Sequence, residues 1–133
     1  VPCVFLTPWS RSVVEARRAV SGQGVQIHHA NTMETARAIL STTGARVLLA
    51  EASFRDGNWE DALKLSMEFS RPVSVVVVTT AVDERFWITV MENGAYDLIP
   101  RPFASVEFAR VVRNAHHHAL VTPRTLRHGA VLL

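Results

Sequence analysis

The run Val75-Val76-Val77-Val78, opened by Pro72 and Val73 and closed by Thr79-Thr80, constrains the fold more than any other segment. It is β-branched throughout and too short for a core helix, so it reads as a strand. No residue in it is polar, so neither face is left for water; such a strand is covered on both sides, as in a parallel sheet. Val47-Leu48-Leu49-Ala50 has the same character.

Between these strands lie segments with helical spacing. Val4-Phe5-Leu6 is followed by Thr7 and Pro8, read as a cap and first helical position, and by a helix to about Val20 that Gly22 and Gly24 end. Val25 to Ala30 alternates apolar and polar, as a half-buried strand does. Asn31 with Glu34 resembles a capping box for a helix with Ala36, Ile39 and Leu40 inward and Gly44 at its end. A loop is expected over Ala52 to Gly57. Asn58 then caps a helix carrying Trp59, Ala62, Leu63 and Met67, extending toward Phe69. Asp83 caps a fourth helix with Trp87, Val90 and Met91 inward. Tyr96 to Ile99 is the fifth strand, and Ser105 caps the last helix, which runs to about Ala119.

Five strands alternating with five helices give right-handed βαβ crossovers, hence an α/β doubly wound parallel sheet with helices on both faces. Functional residues in such sheets gather outside the carboxyl ends of the strands. Here those are Thr7, Pro8, Glu51, Thr79, Thr80 and Arg101.

With 133 residues, 48% hydrophobic and 20% charged, the chain has the size and composition of one globular domain. No apolar run nears the ~20 residues of a membrane span, and no secretory leader is legible. Cys3 is the single cysteine, so an intrachain disulfide is excluded and a cytoplasmic setting is expected. The net charge of +2 with scattered arginines falls short of a nucleic-acid footprint, and the cationic last third reads as a solvated helix face and linker. Consecutive His116, His117 and His118 point about 100° apart on a helix and do not share an ion, and His28 and His29 face opposite sides of a strand. Gly22-Gln23-Gly24 precedes a strand, which is the wrong context for a phosphate loop. No catalytic constellation, cofactor site or metal site is expected.

Gly94-Ala95-Tyr96-Asp97-Leu98-Ile99-Pro100-Arg101-Pro102-Phe103 resembles the segment Gly-Ala-x-Asp-Tyr-Leu-x-Lys-Pro-Phe of response-regulator receiver domains of two-component systems. Val47 to Glu51 resembles the strand ending in their phosphorylated Asp, and Thr79-Thr80-Ala81 their Thr/Ser-Ala step. The resemblance covers roughly residues 3 to 121 and implies a flavodoxin-like sheet of order 2-1-3-4-5. It also implies a domain over 1–121, with 122–133 a linker or the start of an adjoining module.

The departures are concentrated where the family's chemistry lies. The acidic pair that holds Mg²⁺ falls on Thr7 and Pro8, the phosphoacceptor on Glu51, the phosphate-pairing Lys on Arg101 and the switch aromatic on Leu98. Thr80, favoured by Ala81 beside it, or Thr79, favoured by the count back from Arg101, falls on the switch hydroxyl. The Arg101-Pro102 bond is expected to be cis, as the family's Lys-Pro bond is. Mg²⁺ relies on hard oxygen ligands and carboxylate charge, and in-line attack tolerates little misplacement, so the expectation is a degenerate, phosphorylation-independent pseudo-receiver that is not an enzyme.

Glu51 and Arg101 are expected to meet, either as a charge-assisted pair that imitates the activated link or as a partly exposed bridge of little consequence. Partners are expected to be a protein or a second copy, through the fourth helix, fifth strand and last helix, presenting Arg85, Glu92, Asn93, Arg110 and Arg113. No membrane is expected, and nucleic acid only through a separate output domain. The alternatives are a receiver with an unusual acceptor such as Ser53 or Asp56, and a small-ligand sensor using the emptied acidic pocket near Arg101.

Overall fold

The computed structural model describes residues 1–80 and 83–122; the expected linker beyond Thr122, and Ala81 of the Thr-Ala step, lie outside the described residues. The order of elements is β1 (Pro2–Leu6), α1 (Ser10–Ala19), β2 (Gln26–Ala30), α2 (Met33–Thr43), β3 (Val47–Glu51), β4 (Ser53–Phe54), β5 (Gly57–Asn58), α3 (Trp59–Ser66), β6 (Ser74–Thr79), α4 (Glu84–Glu92), β7 (Asp97–Pro100) and α5 (Ser105–Val121). The main sheet has five parallel strands in the order β2-β1-β3-β6-β7. Counting main strands only, that is the expected 2-1-3-4-5. The segment read as a loop after β3 contains a short antiparallel pair, β4 with β5.

Period-2 alternation sorts the strand side chains into two cores. Leu48, Ala50, Val75, Val77 and Leu98 pack against α2, α3 and α4 through Leu40, Ala62, Leu65 and Val90. Phe5, Leu49, Val76, Val78 and Ile99 pack against α1 and α5 through Val13, Ala16, Phe108 and Val112. Both faces of β3 and β6 are buried, as their unbroken apolar runs require. Helix α2 ends where Gly44 takes φ 69°, a left-handed conformation at little cost only to glycine, and the Gly44 amide donates to the Leu40 carbonyl.

Several helix starts differ from expectation. Thr7 does not cap α1, which begins at Ser10 with Trp9 in the capping position and no side-chain cap; the Thr7 hydroxyl is committed elsewhere. Thr32, not Asn31, caps α2 by accepting from the Thr35 amide. Ala104 precedes α5, and Ser105 Oγ instead donates to the Ala19 carbonyl, tying α5 to α1. β7 begins at Asp97 rather than Tyr96. Helix α3 ends at Ser66, before Met67 and Phe69. On α4 it is Phe86 that packs inward, edge-on to Trp59 at 6.1 Å, while Trp87 is 44% exposed.

The caps expected at Asn58 and Asp83 are present. Asn58 accepts from the Glu60 and Asp61 amides, and the Asp61 carboxylate accepts from the Asn58 amide, a reciprocal box. Asn58→Ala should therefore destabilise the domain by about 1 kcal/mol in urea unfolding; no measurable change would mean that the α3 start is held by packing alone.

Candidate functional site

The alternation that builds the cores also builds the site. Phe5, Leu49, Val78 and Ile99 face α1 and α5. Two residues further along each chain come Thr7, Glu51, Thr80 and Arg101, the candidate residues at the carboxyl edge.

Glu51 is the last residue of β3 and is 2% exposed. Its Oε2 accepts from the Thr7 hydroxyl at 3.0 Å and forms an ion pair with Arg101 Nη2. The side chains of Glu51 and Arg101 are 3% and 12% exposed, so the pair is buried rather than a partly exposed surface bridge. The Thr7 hydroxyl also accepts from the Trp9 amide at 3.2 Å, which uses it in both directions and explains why it caps no helix.

Arg101 is held on every side. Its amide donates to the Thr79 carbonyl, Nη2 also donates to Ser12 Oγ at 2.9 Å, and the guanidinium lies 5.6 Å from the ring centres of both Trp9 and Phe103. Burial lowers its pKa from the usual arginine value, with Glu15 acting in the opposite direction. Ser12 and Trp9 were not anticipated from sequence: Trp9 is a lone aromatic after a proline, and Ser12 lies in the first turn of α1 with no motif around it.

A cleft of about 650 Å³ opens beside this network. It is lined by Pro8, Trp9, Ser10, Arg11, Ser12, Glu15, Thr80 and Arg101. Thr80 is exposed there, whereas Thr79 is buried at the end of β6. Leu98 is buried in the core on the other face of the sheet, and the Arg101–Pro102 bond is cis.

The divalent cation implied by the resemblance does not fit these residues. Thr7 and Pro8 bring no carboxylate, and the Glu51 carboxylate already shares Oε2 with a guanidinium and a hydroxyl. A second positive charge at that oxygen would meet Arg101 directly.

Other sequence candidates are placed elsewhere. Asp56 accepts from the Met33 amide at the start of α2, and Ser53 is exposed on β4. His118 lies against Tyr96, His117 is exposed and His116 is half-buried, three different environments as their spacing requires. Burial lowers the His116 pKa, with the amino terminus, Arg46 and His117 adding repulsion. Its contribution to stability is therefore present above the unfolded value of about 6.5 and lost as pH falls through the lower folded value. Cys3 is fully buried, and burial raises its thiol well above the usual range, which leaves no nucleophile there.

No family model and no curated protein matches the chain. Solved structures do. The beryllofluoride-activated NtrC4 receiver domain dimer aligns at 16% identity over 89% of this chain and 98% of the other, with a TM-score of 0.77. The receiver domain of a Francisella response regulator, 1452, aligns at 13% identity over 88% and 97%, with a TM-score of 0.75. The response regulator domain of Thermotoga maritima CheB aligns at 20% identity over 92% and 98%, with a TM-score of 0.69. Strand order, helix placement and these neighbours agree: the chain has the flavodoxin-like fold of response-regulator receiver domains.

Proposed function

We propose that this chain is a pseudo-receiver of two-component-type signalling, working through protein contacts without accepting a phosphoryl group at Glu51. The observation that carries this reading is the state of the Glu51 carboxylate, buried and bonded at Oε2 by Arg101 and Thr7. In this reading the Arg101 contact stands in for the acceptor–lysine link and holds one conformation permanently. It is not an enzyme, and a cytoplasmic setting belongs to the same reading.

The contact surface is α4, β7 and α5. Trp87 and Ile88 are 44% and 41% exposed on α4, with Arg85, Glu92 and Asn93 exposed around them. On α5, Arg110 pairs with Glu107. Arg113, expected on this surface, instead donates to the Gln23 carbonyl in the α1–β2 turn and so belongs to the opposite flank of α5. An apolar centre ringed by mixed charge suits a protein partner or a second copy.

Incubation with acetyl phosphate and Mg²⁺, followed by intact mass measurement, tests the reading. The expected result is an unchanged mass. A phosphoryl adduct mapped to Glu51 would overturn it, and one mapped to Ser53 or Asp56 would replace it with a receiver of unusual acceptor.

A further inference from the structure

The cleft beside Arg101 has features that the pseudo-receiver reading does not use. Trp9 lies on its rim and is 54% exposed, so much of its apolar surface is open to solvent. Arg11 is exposed and forms no ion pair among the described residues. Ser12 and Thr80 add hydroxyls, and Glu15, one turn along α1 from Arg11, adds a carboxylate. At about 650 Å³ the cleft is of the size that holds a small organic ligand.

We propose that this cleft binds a small planar aromatic monoacid. The exposed indole of Trp9, already lying against the Arg101 guanidinium on one side, offers a face for a flat ring. Arg11 supplies the free cation for one acidic group, because the charge of Arg101 is already matched by Glu51. Glu15 sets the limit on ligand charge. It repels a second or third negative charge, which disfavours polyphosphates, and it accepts from an N–H on the ring system. Because the cleft wall includes Ser12 and Arg101, a bound ligand touches the same α1–β7 junction that holds Glu51. Occupancy would thus be felt by the network that fixes the conformation.

The test is a titration of the ¹⁵N-labelled chain with indole-3-acetate, its neutral counterpart indole-3-acetamide, and ATP, followed by amide and indole N–H chemical shifts. Saturable shifts are expected with indole-3-acetate at the Trp9 indole and at Arg11, Ser12 and Thr80, with the Trp87 indole unmoved. The amide should bind at least about tenfold more weakly, and ATP more weakly still. Trp9→Ala and Arg11→Ala should each weaken binding about tenfold or more. Arg11→Ala, at an exposed position with no ion pair among the described residues, should also leave the melting temperature near that of the parent. Equal binding of acid and amide, tighter binding of ATP, undiminished binding by Trp9→Ala, or no saturable shift at millimolar probe would each overturn the proposal. None of these outcomes alters the mass test of Glu51, so the two readings fail separately.

Discussion

Arg101→Ala should destabilise the domain by about 3–5 kcal/mol, because it leaves the Glu51 carboxylate buried without its cation. In a domain of this size that is a fall of roughly 10–20 °C in melting temperature. The substitution also removes the donor to Ser12 and the cation between the Trp9 and Phe103 rings. Glu51→Ala should cost a similar amount by stranding the guanidinium instead.

The pair and its parts differ in an instructive way. Replacing both residues together, Glu51→Leu with Arg101→Met, should cost far less than the two single losses added, since apolar groups of similar volume need no desolvation. Urea unfolding of the two singles and the double measures the coupling directly. Single losses below about 1 kcal/mol, the range of exposed pairs, would mean that the pair is solvated and that the conformational lock does not exist.

Phe108→Ala should be about as damaging, at 3–5 kcal/mol. Phe108 is 1% exposed and stacks on Phe103 with ring centres 4.5 Å apart, and Phe103 in turn meets Phe5 edge-on at 6.3 Å. Three aromatic rings thus join β1, the β7–α5 turn and α5. Because Phe103 also lies under the Arg101 guanidinium, loosening this stack should disturb the ion pair. Phe108→Ala combined with Arg101→Ala should cost less than the two separately. Strict additivity in denaturant unfolding would show that the aromatic stack and the charged network are independent.

The sheet was legible because its central strands carry the signal in every residue. Val75 to Val78 and Val47 to Ala50 have no polar position, which only a strand buried on both faces accommodates. Helix existence was legible from spacing, and the starts at Asn58 and Asp83 from single polar residues next to apolar runs. Where two polar residues stood together, local pattern could not choose between them. Asn31 and Thr32 both suit a cap, and Thr32 takes it. Thr7 and Ser105 look like caps, but tertiary partners, Glu51 and Ala19, claim their hydroxyls. A propensity rule does not register a partner 44 or 86 residues away.

The site followed the same division. That Glu51 and Arg101 would meet was legible from sheet topology, because strand ends of a parallel sheet converge on one edge. Their burial was not, since it depends on Trp9, Ser12 and Phe103 covering the pair from three directions. The outward turn of Trp87 was likewise hidden: Phe86 and Trp87 are both large and adjacent, and contact with Trp59 decides which one enters the core.

The central claim is that the receiver chemistry at Glu51 is closed, and thermal melts with Mg²⁺ and beryllofluoride test it most directly. Beryllofluoride with Mg²⁺ mimics a phosphorylated carboxylate and stabilises any folded receiver that binds it, by about 2.7 kcal/mol at a hundredfold excess over its dissociation constant. With Glu51 Oε2 bonded to Arg101 and Thr7, the melting temperature should not move. A rise that requires both Mg²⁺ and beryllofluoride would show that the acceptor site is open and would contradict the account.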